Sequence, residues 1–252
     1  MNNIQNANND GKYTKSCFVT TYDADKNREL KLSAFMRYAQ ETGEEQLRPV
    51  GLGYEELYNK GVIFVMTRCA IWVHKPILLA EPFAITTWHR GSRGVQLFRE
   101  YRAIDENGNV LIEAATSWVM LAPDTHKILR ANAIDIPVPA VAEEGKAAAL
   151  IMGKEQVPAD MDFAGERPVQ YSDLDYNNHL NNAVYLDIAR DFCPVDMDKV
   201  PLQSVRIHYI KENREGHVLK VQTKQEGSRV YLAADNQDGR SFEALIDYKK
   251  SM

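Results

Sequence analysis

The segment from residue 171 to residue 182 holds the side chains of this chain that are best suited to chemistry. It reads YSDLDYNNHLNN and runs directly into an apolar-periodic segment, which predicts a helix starting just after Asn182. If the loop before that helix is extended, Asp175, Asn177 and His179 alternate onto one side of it. A carboxylate, an amide and an imidazole would then converge at the positive end of a helix dipole. Such a set of groups could act on a carbonyl carbon.

The same composition is also typical of a simple turn and helix cap, because Asp and Asn hydrogen-bond their own backbone. A single capping residue satisfies a helix N-terminus, and Asn182 is the expected N-cap. The pattern Asp-x-Asn-x-His followed by Asn-Asn is richer than a cap requires. We therefore favour a functional site and keep the turn as the structural alternative.

The run DLDYNNHLNN, followed three residues later by Tyr185, resembles the active-site signature of the acyl-acyl carrier protein thioesterases of plants and bacteria. The resemblance extends over about residues 13 to 248. It implies an α+β fold of two tandem hot-dog units, a double hot-dog in which an antiparallel sheet wraps around a central helix in each unit. It also implies hydrolysis of fatty acyl-acyl carrier protein, which releases the free fatty acid and ends its elongation. The catalytic residues that it implies are Asp175, Asn177, His179 and Glu212.

Glu212 lies in the charged run HYIKENREG, where a lone glutamate is ordinarily a solvated surface charge. It becomes a candidate because the family glutamate falls here. In plant members of the family a cysteine often follows this glutamate, but Asn213 stands there in this chain, so no thiolate can act at that position. Our hypothesis makes Glu212 the general base that activates water, with Asp175 as its partner. His179 would orient a carboxylate or shuttle a proton, and Asn177 would donate to the oxyanion or position the water.

The composition of the 252 residues is that of an ordinary globular protein, with 44% hydrophobic and 26% charged residues. The net charge of -5 argues against a nucleic-acid partner. No apolar run reaches the length of a membrane span, and the N-terminus has no signal or transit pattern. The odd number of cysteines and their spacing indicate a reducing compartment, so we expect a cytoplasmic protein. We expect no metal and no cofactor, and either a monomer or a homodimer.

The chain is expected to hold two similar units joined by a linker. Residues 1–11 are expected to be a disordered tail, and residues 12–121 the first hot-dog unit, which binds the acyl chain. Residues 122–167 are Ala- and Pro-rich and read as a linker with one short helix at 147–152. Residues 168–252 are expected to be the second, catalytic hot-dog unit.

Apolar periodicity and turn residues predict the elements of each unit. In the first unit, a strand over 13–22 is followed by helices over 33–47 and 54–59 and by strands over 62–74, 82–90, 96–105 and 110–121. In the second unit, a strand over 169–171 is followed by a helix over 183–192 and by strands over 203–211, 217–225, 229–235 and 242–248.

The two units are predicted to be a repeat, because eleven residues separate Tyr22 from the helix start at Ser33 and Tyr171 from the helix start at Asn182. That register places three first-unit residues against the catalytic set, namely Lys26 against Asp175, Arg28 against Asn177 and Leu30 against His179. The first unit would then keep the architecture and lack the chemistry, as expected of a fused dimer with one surviving site.

An acyl chain requires a dry tunnel, which the resemblance places largely between the helix and the sheet of the first unit. The candidate lining residues are Phe35, Tyr38, Met66, Trp72 and Trp118. The same residues would equally serve as an ordinary core.

Carrier proteins are acidic, so a local basic surface would help the acyl carrier protein to dock despite the negative total charge. The candidate patch consists of His89, Arg90, Arg93, Arg99 and Arg102. A solvated hairpin face is the alternative reading of that patch.

Three other functions remain open on the sequence. An acyl-CoA thioesterase shares the fold and the reaction and differs in the thiol carrier. Hot-dog hydratases resemble Asp-x-Asn-Pro-x-His, with a proline and an extra residue that the run from Asp175 to His179 lacks. A non-catalytic acyl-binding hot-dog protein should have lost the polar set, which this chain retains.

Overall fold

The computed structural model describes residues 6–7, 10–151, 153, 156–196 and 199–249. The helices are α1 (Leu32–Leu47), α2 (Tyr54–Asn59), α3 (Lys146–Ile151) and α4 (Val184–Asp191). The strands are β1 (Asn6–Ala7), β2 (Lys12–Phe18), β3 (Ile63–Val73), β4 (Pro82–Arg93), β5 (Gln96–Ile104), β6 (Val110–Leu121), β7 (Asp162–Pro168), β8 (Leu202–Tyr209), β9 (Val218–Glu226), β10 (Arg229–Asn236) and β11 (Gly239–Tyr248). Within these ranges, no helix is both long enough and apolar enough to cross a membrane.

In the described residues, the strands form one antiparallel sheet in the order β1-β2-β4-β5-β6-β3-β8-β11-β10-β9-β7. Its middle is the pairing of β3 with β8, where Arg68 lies opposite His208 and Trp72 lies opposite Ser204. The same plan occurs on each side of that pairing, with β2, α1 and β3 to β6 on one side and β7, α4 and β8 to β11 on the other. The chain is therefore a double hot-dog of the α+β class, and the predicted fold is confirmed.

Helices α1 and α4 lie in contact on one face of the sheet and form the centre of the core. Phe35 and Ala39 of α1 and Ile188 of α4 are buried among strand residues that include Ile71 and Ile207. Burying a side chain such as that of Phe35 contributes about 1.5–3 kcal/mol. One core thus spans both units, and it holds the start of α4 in place relative to the first unit.

The predicted helices over 33–47, 54–59 and 183–192 are confirmed, with ends within one residue of those expected. The strand expected over 169–171 is wrong, because β7 ends at Pro168 and lies, except for that last residue, within the stretch assigned to the linker. Strand β7 pairs with β9 at the edge of the sheet and is largely exposed. Its sequence DFAGERP therefore lacks the apolar alternation by which strands are recognised.

Part of the expected tail and linker falls outside the described residues. Of the tail over 1–11, the described pair Asn6–Ala7 forms β1 and is bonded to β2, while residues 1–5 and 8–9 lie outside. The linker helix expected over 147–152 is α3, and Met152 lies outside the described residues. Helix α3 packs Ala147 and Ile151 on the outer face of the first unit, the face opposite α1.

The segment before α3 covers a charged cluster on that outer face. Glu100 on β5 is 1% exposed, pairs with Arg90 at 3.0 Å and accepts the Gly145 N–H at 3.2 Å. Burial raises the pKa of Glu100 to about 7, against the opposing effects of Arg90 and the Gly145 N–H, and the charges of Glu144 and Glu113 add to the rise. Folding therefore favours the protonated form of this carboxyl group.

We expect Glu100→Gln to remove a pH dependence of stability between about pH 4.5 and pH 7. Folded Glu100 holds its proton to higher pH than the unfolded chain does, so its stabilising contribution is present at low pH and is lost as the pH rises to about 7. Between about pH 4.5 and pH 8, the wild-type protein should lose roughly 1–3 kcal/mol of its free energy of unfolding relative to the variant. Urea unfolding at both pH values measures this shift.

Glu106→Gln is the matched control for that measurement, because Glu106 lies in the exposed turn that joins β5 to β6. Its stability relative to the wild-type protein should change little with pH. A difference between Glu100→Gln and the wild-type protein that stays constant with pH would contradict the expectation.

Candidate active site

The stretch from Leu174 to Leu180 forms a tight turn, so the condition of an extended loop, under which the three side chains would alternate, is not met. A β-bridge joins Leu174 to Leu180, and the Asp175 N–H donates to the His179 carbonyl at 2.8 Å. Oδ1 of Asp175 accepts the N–H groups of Asn177 at 2.8 Å and His179 at 3.3 Å. A short acidic side chain can compete in this way with extended backbone. Asp175 therefore fixes the backbone of the two other predicted catalytic residues in the turn.

Helix α4 begins at Val184 with Ala183 as its N-cap, so the predicted cap Asn182 is wrong. Oδ1 of Asn181 accepts the Ala183 N–H at 2.9 Å, and the Asn181 carbonyl accepts the Val184 N–H at 2.9 Å. Two N–H groups at the helix start are thus already bonded within the loop. An oxyanion bound here would depend on side-chain donors rather than on those two groups.

The side chains of His179 and Glu212 lie in direct contact. Nε2 of His179 is 3.1 Å from Oε2 of Glu212, and Arg214 pairs with the other carboxylate oxygen at 2.7 Å. The side chains of His179 and Glu212 are 30% and 44% exposed, so water can reach both. The structure thus brings His179, rather than Asp175, into contact with Glu212.

A buried hydrogen-bond network lies directly behind Glu212 and is centred on Asn213. Nδ2 of Asn213 donates to the Tyr185 hydroxyl at 2.8 Å, and its Oδ1 accepts from Nδ2 of Asn236 at 2.8 Å. Burial raises the pKa of Tyr185 to about 12, with smaller contributions from the charges of Asp175 and Glu212, so its hydroxyl stays protonated near neutral pH. Asn213, which directly follows Glu212, therefore holds this part of the chain in place.

The first unit also reaches the candidate site through α2. Tyr54 donates its hydroxyl proton to Oδ1 of Asn177 at 2.9 Å, and its ring packs edge-on against Tyr176 with centroids 4.8 Å apart. Tyr54 carries no local sequence signal for this role, because the two residues are 123 positions apart. Asn236 was likewise not among the predicted residues, since it joins the network from a separate strand.

The first unit contains the same turn, which corrects the predicted register of the repeat. Oδ1 of Asp25 accepts the N–H groups of Asn27 at 2.8 Å and Glu29 at 3.0 Å. Asp25 and Asn27 are therefore the counterparts of Asp175 and Asn177, each 150 residues earlier. The predicted register was wrong by one residue, because neither of the two residues used to align the helix starts is an N-cap.

The histidine and the glutamate distinguish the second unit from the first. After each turn, an equivalent backbone N–H group donates to a carbonyl at 2.8 Å, which is that of Ile77 in the first unit and that of Asn213 in the second. Ile77 and Asn213 therefore correspond. In the first unit, Glu29 stands in the position of His179, and Pro76 stands in the position of Glu212. The first unit thus keeps the turn and lacks an imidazole and carboxylate pair at these positions.

Four of the five predicted lining residues share one side of the sheet. Phe35 and Met66 are buried in the core beside α1, and Tyr38 and Trp118 are half-buried against the same core. Trp72 lies on the opposite face, beside α3. The even spacing from Met66 to Trp72 would place both side chains on one face of a regular strand. A bulge directly after Met66 reverses the alternation along β3 and places them on opposite faces.

The predicted docking patch does not form a free basic surface. Arg99 is 8% exposed and hydrogen-bonds toward α1. Arg90 pairs with Glu100, and Arg102 pairs with Glu143. Two further patch residues, His89 and Arg93, lie at the end of β4. The patch prediction is therefore wrong, because one arginine is buried and two others are neutralised by acidic partners.

A cavity of about 670 Å³ lies on the outer face of the sheet at the junction of β3 and β8. Its described lining includes Arg68, Arg206 and His208 from the strands and Leu150 and Val157 from the covering segment. The lining includes neither Glu212 nor any residue from Leu174 to Leu180. The candidate active site is thus defined by its chemistry and not by the size of a cavity.

Comparison with solved structures places the molecule in the class of double hot-dog proteins. An acyl-ACP thioesterase from Bacteroides thetaiotaomicron matches with a TM-score of 0.81 at 17% identity, covering 95% of this chain and 98% of that chain. The 12:0-ACP thioesterase from Umbellularia californica matches with a TM-score of 0.80 at 16% identity, again covering 95% and 98%. Both likenesses show the fold.

The chain belongs to the acyl-ACP thioesterase family, as its signature predicted. The acyl-ACP thioesterase N-terminal domain matches residues 10–133, and the C-terminal domain matches residues 158–250. The chloroplastic palmitoyl-acyl carrier protein thioesterase of Arabidopsis thaliana is 27% identical over 226 residues, which are 83% of this chain and 54% of that protein. Oleoyl-acyl carrier protein thioesterase 1 of the same plant is 23% identical over 226 residues, covering 82% and 62%. The chain thus spans little more than half the length of these curated relatives.

Proposed function

We propose that this protein hydrolyses the thioester of a fatty acyl-acyl carrier protein, which releases the free fatty acid and ends its elongation. The observation that carries this proposal is the 3.1 Å contact between Nε2 of His179 and Oε2 of Glu212. The contact is built on a turn that the first unit repeats without the pair. Membership of the family and the names of the plant relatives support an acyl carrier protein as the partner.

In the proposed reaction Glu212 is the general base. It takes a proton from a water molecule as the water oxygen adds to the carbonyl carbon of the thioester. The amide N–H of Asn177 donates to the oxyanion that forms. When the tetrahedral intermediate collapses, the C–S bond breaks and the proton passes from the pair of Glu212 and His179 to the departing sulfur. Asp175 acts by holding the turn that carries Asn177 and His179.

We propose that the first unit, residues 12–121, binds the acyl chain and that the second unit, residues 168–252, performs the chemistry. Phe35, Tyr38, Met66 and Trp118 line the apolar side of the sheet beside α1, which supports this division. Trp72 is not part of the proposed lining, because it lies on the other face.

We also propose a reducing, cytoplasmic location. Cys17, Cys69 and Cys193 are all unpaired, and free thiols are typical of proteins in reducing compartments. Burial raises the pKa of Cys69 to about 12 and that of Cys17 to about 11, so both thiols stay protonated and unreactive near neutral pH.

The test is free-thiol release by the purified protein from matched acyl-acyl carrier protein and acyl-CoA thioesters of several chain lengths. We expect kcat/KM for the carrier-protein thioester to exceed that for the CoA thioester by about tenfold or more, because protein contacts add to those of the acyl chain. A higher kcat/KM for the CoA thioester would support thioester hydrolysis with CoA, and not the acyl carrier protein, as the thiol carrier. No release from either, with acyl ligand still bound, would reject hydrolysis in favour of an acyl-binding protein.

A further inference from the structure

Helix α2 of the first unit is held firmly against its own sheet. Leu57 of α2 and Leu52, two residues before the helix, are 5% and 3% exposed and belong to a cluster with Val62, Leu97 and Met120. Buried side chains of this kind restrict the motion of the backbone that carries them. Tyr54 lies on the same short helix, so its Cα is held in position by the core of the first unit.

The ring of Tyr54 contacts two other aromatic rings. It stacks on Tyr58, one helical turn later, with centroids 6.1 Å apart and planes inclined by 29°. It also makes an edge contact with Tyr176, with centroids 4.8 Å apart and planes at 76°. Aromatic pairs favour such offset and edge-to-face arrangements. The hydroxyl of Tyr54 therefore has a defined direction, and it points to the side chain of Asn177.

The hydroxyl of Tyr54 is the donor in its bond with Asn177. Burial, followed by the charges of Tyr58, Glu55 and Asp175, raises the pKa of Tyr54, so the group keeps its proton near neutral pH. The 2.9 Å bond to Oδ1 thus occupies the acceptor end of the amide. Because an amide is planar, this bond turns Nδ2 and its two hydrogens away from Tyr54.

Asn177 is consequently held at two points by different units. Asp175 accepts its backbone N–H at 2.8 Å within the turn, and Tyr54 holds its side-chain oxygen from α2. We propose that Tyr54 is a positioning residue that aims the Asn177 amide N–H at the developing oxyanion, so that the first unit completes the active site of the second. This proposal rests on the hydrolase function proposed above and assigns one further residue to it.

The direct test is Tyr54→Phe, which keeps the stacked ring and removes the donated hydrogen bond. We expect kcat for acyl-acyl carrier protein hydrolysis to fall about 3- to 10-fold, the size expected for one hydrogen bond, with KM changed less than about twofold. Tyr58→Phe, on the same helix and in the same stack, should leave both constants unchanged. In an Asn177→Ala background, Tyr54→Phe should cause no further loss, because Tyr54 acts through that amide.

A second readout does not depend on turnover. The side-chain amide signals of Asn177 in a ¹⁵N–¹H spectrum can be assigned by their disappearance in Asn177→Ala. Tyr54→Phe should shift these signals and Tyr58→Phe should leave them in place. Signals that stay in place in Tyr54→Phe would overturn the proposal even if the wild-type protein hydrolyses no thioester. Wild-type turnover with an equal rate in Tyr54→Phe would also overturn it and leave the hydrolase function standing.

Discussion

Glu212→Gln should lower kcat for acyl-acyl carrier protein hydrolysis by a factor of about 100 to 10,000, the range associated with a general base. The amide has nearly the shape of the carboxylate and can still bond to His179 and Arg214, but it cannot take a proton from water. KM should change little, because in the proposed division of roles the first unit binds the acyl chain. Steady-state thiol release over a range of substrate concentrations separates the two constants.

Glu215→Gln is the control for this result. Glu215 is an exposed glutamate three residues further on, so the substitution removes the same charge from the same segment. It should keep the wild-type rate. If Glu212→Gln also kept the full rate, Glu212 would not be the base, and His179, its contact at 3.1 Å, would be the next residue to test in that role.

Asp175→Ala and Asp25→Ala should destabilise the protein by similar amounts and differ sharply in activity. Each substitution removes a carboxylate oxygen that accepts two backbone N–H groups in an equivalent turn. Each should lower the free energy of unfolding by about 1–3 kcal/mol. Because the second turn carries Asn177 and His179, Asp175→Ala should lower kcat by about 100-fold, a loss of the size caused by misplaced catalytic groups.

Asp25→Ala should keep a rate near that of the wild-type protein, since its turn lacks the imidazole and carboxylate pair. Urea unfolding and thiol release on the same preparations provide both comparisons. Equal activity losses in Asp25→Ala and Asp175→Ala would contradict the assignment of the chemistry to the second unit.

Asp175→Asn separates the two roles open to Asp175. An asparagine oxygen can accept the same N–H groups without the charge. A rate near wild type would assign Asp175 to the turn alone. A rate as low as that of Asp175→Ala would assign its negative charge to the reaction.

The local pattern of the sequence determined much of this molecule. Apolar spacing predicted α1, α2 and α4 because each helix must bury one face, and the run from Asp173 to Asn182 identified the family. The strand β7 was not predicted, because an exposed edge strand needs little apolar alternation. The local spacing of apolar residues therefore determines the order and type of the buried elements.

Contacts between distant segments were decided by the tertiary structure. The sequence named His179 and Glu212 separately, but the end of β8 had to pack beside the turn before they could form a pair. Tyr54 reaches Asn177 because one core spans both units. A single bulge in β3 placed Trp72 on the face opposite Met66. Local spacing defines which face of an element is apolar, whereas the partner across that face depends on how the whole sheet closes around its helices.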